Sequence, residues 1–153
     1  MRAPYQVLII PFRHTVTGLV FAVLKRADTG AWQFASGGGE DAEMPVQAAQ
    51  REMQEEVGLN VEGQLRELDA TATIPVSVFN NVARWGDDVF VIPEHSFAVD
   101  VKDAALILSD EHTELRWVAY DEARALLKWD SNRTALWELT ERLRRQLCEP
   151  CSD

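Results

Sequence analysis

The sequence predicts an α/β (α+β) domain in which helices cover a central mixed sheet, and three observations carry that reading. Segments rich in Val, Ile, Leu and Phe crowd the first 25 residues. A helical apolar period begins at residue 45, and a second one closes the chain. Strands first, a helix in the middle and helices at the end is the order of a sheet with helices packed on it. The length of 153 residues suits one domain, and 46% apolar residues with five Trp and six Phe exclude wholesale disorder. We expect a single domain over residues 1–147 and a short tail over 148–153.

In chain order, residues 5–12 and 19–25 read as two strands, with a turn at 15–18 that makes them a hairpin. Residues 28–39, holding Gly30 and the run Gly37-Gly38-Gly39, read as a loop. Residues 45–57 change to a helical period, Val46, Ala49, Met53 and Val57 forming one apolar stripe. Pro45 suits the first turn and Gly58 suits the stop. Strands follow at 68–78, 88–92, 96–101 and 115–120. Asp121 reads as the cap of a short helix through Leu127, and Asp130 or Ser131 as the cap of the last helix. In that helix Leu136, Leu139, Leu143 and Leu147 repeat the 3-4-4 spacing.

Charge narrows the function. Lys plus Arg is 15 and Asp plus Glu is 25, a net charge of −10, which leaves no broad basic face for a nucleic acid polymer. The longest apolar run, residues 19–24, is far too short to span a bilayer. Residues 1–12 carry no signal-peptide cleavage pattern. We expect a cytoplasmic domain, monomer or homodimer, with no membrane partner. Cys148 and Cys151 form a C-x-x-C without a second pair, and His14, His95 and His112 are scattered singly, so the cysteines read as an exposed reduced tail.

The informative segment is Arg51-Glu52-Met53-Gln54-Glu55-Glu56-Val57-Gly58. On a helix, Glu52, Glu55 and Glu56 fall at i, i+3 and i+4, where like charges repel by roughly 0.2–0.5 kcal/mol per pair. They also crowd the negative end of the helix dipole, at a cost of about 0.3–1 kcal/mol each. Arg51 can offset part of this by reaching Glu55 at i+4. Local rules broken in this way mark a functional site. Clustered carboxylates bind hard divalent cations, Mg²⁺ or Mn²⁺, which also take phosphate oxygens. A solvated acidic face is the alternative that spacing alone leaves open.

The wider pattern resembles the signature box of the Nudix hydrolases. Gly37, Glu43, Arg51, Glu52, Met53, Glu55, Glu56, Gly58 and Leu59 fill all nine of its fixed positions within 23 residues. The resemblance implies a Nudix-type α/β/α sandwich that hydrolyses a phosphoanhydride, with Mg²⁺ as cofactor and a small polyphosphate as substrate. It implies that Glu52, Glu55 and Glu56 hold the metal. Arg51 and Glu43 would brace loop and helix, Gly37 would let backbone approach the phosphates, and Trp32 stands where the family often has an aromatic. Ala35-Ser36 replaces the Pro-Gly of many members. A related departure occurs in the branch that hydrolyses dihydroneopterin triphosphate, which Trp32-Gln33, Glu111-His112 ahead of Trp117, and residues 129–133 also resemble. In that branch a Glu at the position of Glu111 completes the metal site or activates water, and Glu114 is the rival for that role. Two exposed loop acids are the plain alternative.

Softer signals complete the set. Gly37-Gly38-Gly39 lacks a following Gly-Lys-Ser/Thr and is no P-loop. Lys25 and Arg26 could meet substrate phosphates or simply salt-bridge a strand end. Arg84-Trp85 could stack on a base or pterin ring, or be an ordinary loop pair. Asn132 and Arg133 read as capping residues. The implied mechanism is metal-dependent hydrolysis: Mg²⁺ on Glu52, Glu56 and Glu111, Glu55 as a further ligand or an orienting group, and Glu111 or Glu52 as the base.

Overall fold

The computed structural model describes residues 1–79 and 85–148, and the side chains of 147 and 148 fall outside the description. Arg84 and Cys151 therefore lie outside the described residues, as do the side chains of Leu147 and Cys148. The spine is β1 (Arg2–Thr15), whose residues Val7, Leu8, Ile9 and Ile10 are all fully buried. A continuous apolar strand buries both faces. Leu8, Ile10 and Phe12 enter one core, while Val7 and Ile9 enter the other.

Around this spine the sheet is mixed, with seven strands. β2 (Gly18–Arg26) returns antiparallel through the expected hairpin, where Thr15 pairs with Gly18 and its hydroxyl donates to the Gly18 carbonyl at 2.7 Å. β3 (Trp32–Gln33) pairs with β2, and β4 (Ala35–Glu40) pairs with the first half of β1. β5 (Arg66–Pro75) leads into a 3₁₀ turn at Val76–Val78, and β6 (Val91–Asp100) lies between β5 and β1. The β1–β6 pair is parallel, from Gln6 opposite Glu94 to Phe12 opposite Asp100. β7 (His112–Val118) runs antiparallel to β2.

The helices cover both faces. α1 (Pro45–Val57) sets Ala48, Ala49, Met53 and Val57 against Val7, Ile9, Phe97 and Val99. α2 (Tyr120–Leu126) and α3 (Asp130–Cys148) cover the other face with Ala123, Ala135, Leu136 and Leu139. This is the α/β/α sandwich.

Several boundaries differ from the sequence reading, each for a physical reason. Residues 28–39 hold two strands, because the open edge of β1 recruits a glycine-rich segment with little β propensity of its own. The strands read at 88–92 and 96–101 are one. Pro93 is tolerated because β6 pairs with β1 only from Glu94 onward, leaving the proline beside a single neighbour. Val46 is exposed, Ala48 taking its place in the α1 stripe. The cap position of α2 is Ala119, with Asp121 in the first turn. α3 begins at Asp130, so neither Asp130 nor Ser131 precedes it as a cap; Asp130 sits in the first turn and pairs with Arg133.

Candidate active site

α1 positions the acidic cluster, and its ends are set locally. Pro45 opens the helix, and the Met44 N–H donates to the Gln47 side chain at 2.8 Å. Gly58 closes it in the left-handed region, with φ 69°, donating to the Gln54 carbonyl at 3.1 Å. Pointing at the sheet from the last two turns are Glu52 and Glu56, which are 8% and 1% exposed, whereas Glu55 turns to solvent. The three carboxylates therefore do not share one environment. Spacing of i, i+4 puts Glu52 and Glu56 on the buried side, and Glu55 falls at its rim.

Arg51 holds this arrangement. Its guanidinium donates two bonds to Glu43 (2.9 and 3.0 Å), one to the Gly38 carbonyl (2.8 Å) and one to Glu52 (3.0 Å), and it reaches Glu55 at 3.3 Å. These bonds draw the Glu43 carboxyl below its usual range. Glu43 in turn accepts the Glu40 N–H at 2.9 Å, so Arg51 ties α1 to the strand that precedes it. Gly37 leaves room for Glu52 at this junction, since a Cβ there would stand 2.0 Å from the Glu52 carboxyl carbon and push that carboxylate aside.

Glu56 is the most perturbed acid. One carboxylate oxygen accepts the Ser36 N–H at 3.1 Å, and the other is buried with no hydrogen bond, 3.5 Å from His112 Nε2. Burial, then the neighbouring Glu52, then Glu111, push its carboxyl far above the usual range. Burial raises Glu52 as well. His112 is buried with both ring nitrogens unbonded, and burial followed by the Arg26 charge depresses its pKa. A neutral His112 therefore faces Glu56. Sequence reading named His112 among the scattered histidines and within the Glu111-His112 resemblance but assigned it no role, because a lone histidine carries no spacing signal.

The loop after β6 brings Glu111 here. Ile107 N–H donates to the Val57 carbonyl at 2.8 Å and Ser109 N–H to the Glu56 carbonyl at 3.1 Å, satisfying the open end of α1. Ala27 N–H then binds the Glu111 carbonyl at 2.9 Å. Glu114, by contrast, pairs with Arg116 at 2.8 Å. Among the described residues no three His, Cys, Asp or Glu side chains converge as a ready-made ion cage. Glu52 and Glu56 are brought together; Glu55 and Glu111 stand at the exposed rim.

Of the expected substrate contacts, Arg26 is engaged by Asp28 through two bonds of 2.7–2.8 Å, the salt-bridged strand end. Lys25 shows no ion pair among the described residues and lies opposite Trp32 and Glu114 in register. The Trp32 ring lies under the Arg116 guanidinium at 4.9 Å. Trp85 donates to the Arg2 carbonyl at 3.0 Å and packs edge-on to Phe79. Asn132 is no cap: buried, it accepts the Phe34 N–H at 2.9 Å and fastens α3 to β4's entrance. Arg133 donates to the Leu127 carbonyl and does link the helix ends.

A two-sided sandwich carrying a buried glutamate pair on α1 defines a class, and comparison with known proteins agrees with it. The NUDIX domain family profile matches residues 5–138, and the chain belongs to that family. It is a Nudix pyrophosphohydrolase. A solved structure from Listeria monocytogenes assigned to the NUDIX hydrolases shares 45% identity and a TM-score of 0.84, covering 94% of this chain and 97% of that one. The dihydroneopterin triphosphate diphosphatase of Escherichia coli K12 is 30% identical over 88% of this chain and 91% of its own. The structure of the E. coli dihydroneopterin triphosphate pyrophosphohydrolase superposes with a TM-score of 0.72 at 26% identity, covering 88% and 93%.

Proposed function

We propose that this chain is a cytoplasmic, single-domain enzyme that hydrolyses a phosphoanhydride of a nucleoside-triphosphate-like substrate with Mg²⁺ (Mn²⁺ as substitute), dihydroneopterin triphosphate giving the monophosphate and pyrophosphate for a folate pathway. The observation that carries the metal requirement is the buried oxygen of Glu56, unbonded beside a second buried carboxylate. Two such anions without a cation are costly, and a hard divalent ion fits them. The fit is the usual one for Mg²⁺, which takes one or two carboxylates and leaves its other positions to water and phosphate oxygens.

Glu52 and Glu56 would hold the ion, with Glu55 and Glu111 at the rim as further ligands. Bound there, the cation supplies positive charge against the phosphate oxygens and makes water a stronger acid. Arg51 keeps Glu52 oriented through its bonds to Glu43 and the Gly38 carbonyl. Glu111, exposed and electrostatically close to Glu56, is the acceptor for the attacking water's proton, with Glu52 as the second candidate. Lys25, which shows no ion pair among the described residues, stands near the end of β2 as a cation that would meet a phosphate.

The pterin substrate is supported by the dihydroneopterin triphosphate diphosphatase of Escherichia coli K12, whose match covers 88% of this chain. Incubating the protein with Mg²⁺ and dihydroneopterin triphosphate should release pyrophosphate faster than deoxynucleoside triphosphates, dinucleoside polyphosphates or nucleotide sugars do. Faster turnover of any of those would replace the pterin assignment while leaving the reaction class. No metal-dependent turnover on any of them would leave a nucleotide-binding module.

A further inference from the structure

Outside the acidic cluster, one other buried carboxylate among the described residues has an oxygen without a hydrogen-bond partner. Glu94 in β6 is 5% exposed, and its Oε1 has no hydrogen-bond partner. Burial raises its carboxyl, and the neighbouring Ser131 side chain at the start of α3 draws it partly back. A buried acceptor left unmade costs roughly 1–3 kcal/mol, so a chain that keeps one has a use for it.

Its position says what use. Alternation along β6 places Glu94 on the face of Ala98, the α2–α3 side, away from α1. In register, Glu94 lies opposite Gln6 of β1, and Gln6 lies opposite Gly38 of β4. Gly38 is also the residue whose carbonyl Arg51 holds, so this row of three strands begins at the β4 residue that Arg51 ties to α1. Two strand spacings of about 4.8 Å put the two ends of the row roughly 10 Å apart. Along one side stand the half-buried Trp85 and Phe79, with the Arg2 guanidinium 4.7 Å from the Phe79 ring centre. On the other side stands Ser131. A carboxylate oxygen left unmet at the end of such a row is an acceptor suited to a heterocycle that presents N–H donors.

We propose that Glu94 is the specificity-determining residue for the substrate's heterocycle. It would accept hydrogen bonds from an adjacent ring N–H and exocyclic NH₂, the donor pair shared by guanine and by 2-amino-4-oxopteridines. This rests on the phosphoanhydride reading above and adds the class of base to it. Adenine, uracil and hypoxanthine each lack one or both of the two donors. Gln6 and Arg2, long side chains beside the row, are the groups that give way on entry.

GTP and ITP differ only in the exocyclic NH₂ and are the probes. The wild-type protein should favour GTP over ITP in kcat/KM by about tenfold or more, chiefly through KM, as expected when a buried polar group goes unpaired. In Glu94→Gln that ratio should fall towards one, through a rise in KM for GTP much larger than any change in KM for ATP, and Tm does not drop. Unchanged GTP preference in the variant overturns the proposal, as does equal loss on GTP, ITP and ATP. Tryptophan-fluorescence titration with GDP and IDP, without metal, reads the same preference as binding. If no triphosphate is hydrolysed but GDP still outbinds IDP only in wild type, Glu94 keeps its role and the hydrolase reading fails. Equal binding of GDP and IDP to the wild type overturns Glu94's role whatever the turnover.

Discussion

At the scale of single residues, the site is a set of close approaches that tolerate little. A Cβ on Gly37 would overlap the Glu52 carboxyl, with Cβ to carboxyl-carbon separation of 2.0 Å, so Gly37→Ala must displace the carboxylate proposed to hold the metal. Its Mg²⁺-dependent phosphate release should fall at least about tenfold, the lower end of what disturbing a ligand's support costs. Arg51→Lys keeps the charge and loses the fork that bridges Glu43, Glu52 and the Gly38 carbonyl. A loss of about 10–100-fold in metal-dependent turnover, with folding retained by circular dichroism, is the expected result. Glu56→Gln should abolish most turnover and also change how stability depends on pH. Glu56 and Glu52 hold their protons more tightly folded than unfolded. Between the ordinary carboxylate range and their folded values the native state binds more protons, so the metal-free protein loses stability as pH rises. Its Tm should decline from pH 5 to pH 8, and the decline should be shallower in Glu56→Gln. Identical pH profiles for the two proteins would show that this pair does not carry the effect.

At the scale of elements, α1 is specified by its own neighbourhood and the rest of the site is not. Pro45, the apolar stripe and Gly58 act within a turn or two, and helix, start and stop all follow from them. Gly58 at φ 69° lies against Ile107, and a Cβ there would be 3.4 Å from that side chain. Gly58→Ala should therefore cost about 1–2 kcal/mol for the left-handed backbone, read as a fall of several degrees in Tm. β4 is the opposite case. Nothing in Ala-Ser-Gly-Gly-Gly-Glu announces a strand, and the edge of β1 imposes one. The buried Asn132–Phe34 bond belongs with it, since it joins residues 98 apart. Removing the acceptor with Asn132→Ala leaves a buried N–H unmet and should destabilise by roughly 1–3 kcal/mol, checked by urea unfolding.

For the whole molecule, the proposed cation would reconcile the net charge of −10 with the proposed polyphosphate substrate. The acids that matter are the few buried ones, and the remainder keep the surface solvated. Chelation should lower Tm, and millimolar Mg²⁺ should raise it, more at pH 8 than at pH 5, because the ion replaces the protons that Glu52 and Glu56 otherwise retain. An absence of any Mg²⁺ effect on Tm would remove the metal from the acidic pair.

The sequence by itself determined the mixed class, the hairpin, α1 with both its ends, and the residues of the acidic box. Each depends on neighbours within a few positions, where period, caps and spacing are written directly. Only the tertiary structure decided that Glu55 faces solvent while Glu52 and Glu56 are buried, and that Glu111 lies near Glu56 while Glu114 is held by Arg116. It alone set His112 against Glu56 and left Glu94 with an unmet oxygen. Those outcomes come from sheet register and from loops that dock across 30 to 100 residues of chain, and no local pattern encodes which distant partner a side chain will meet.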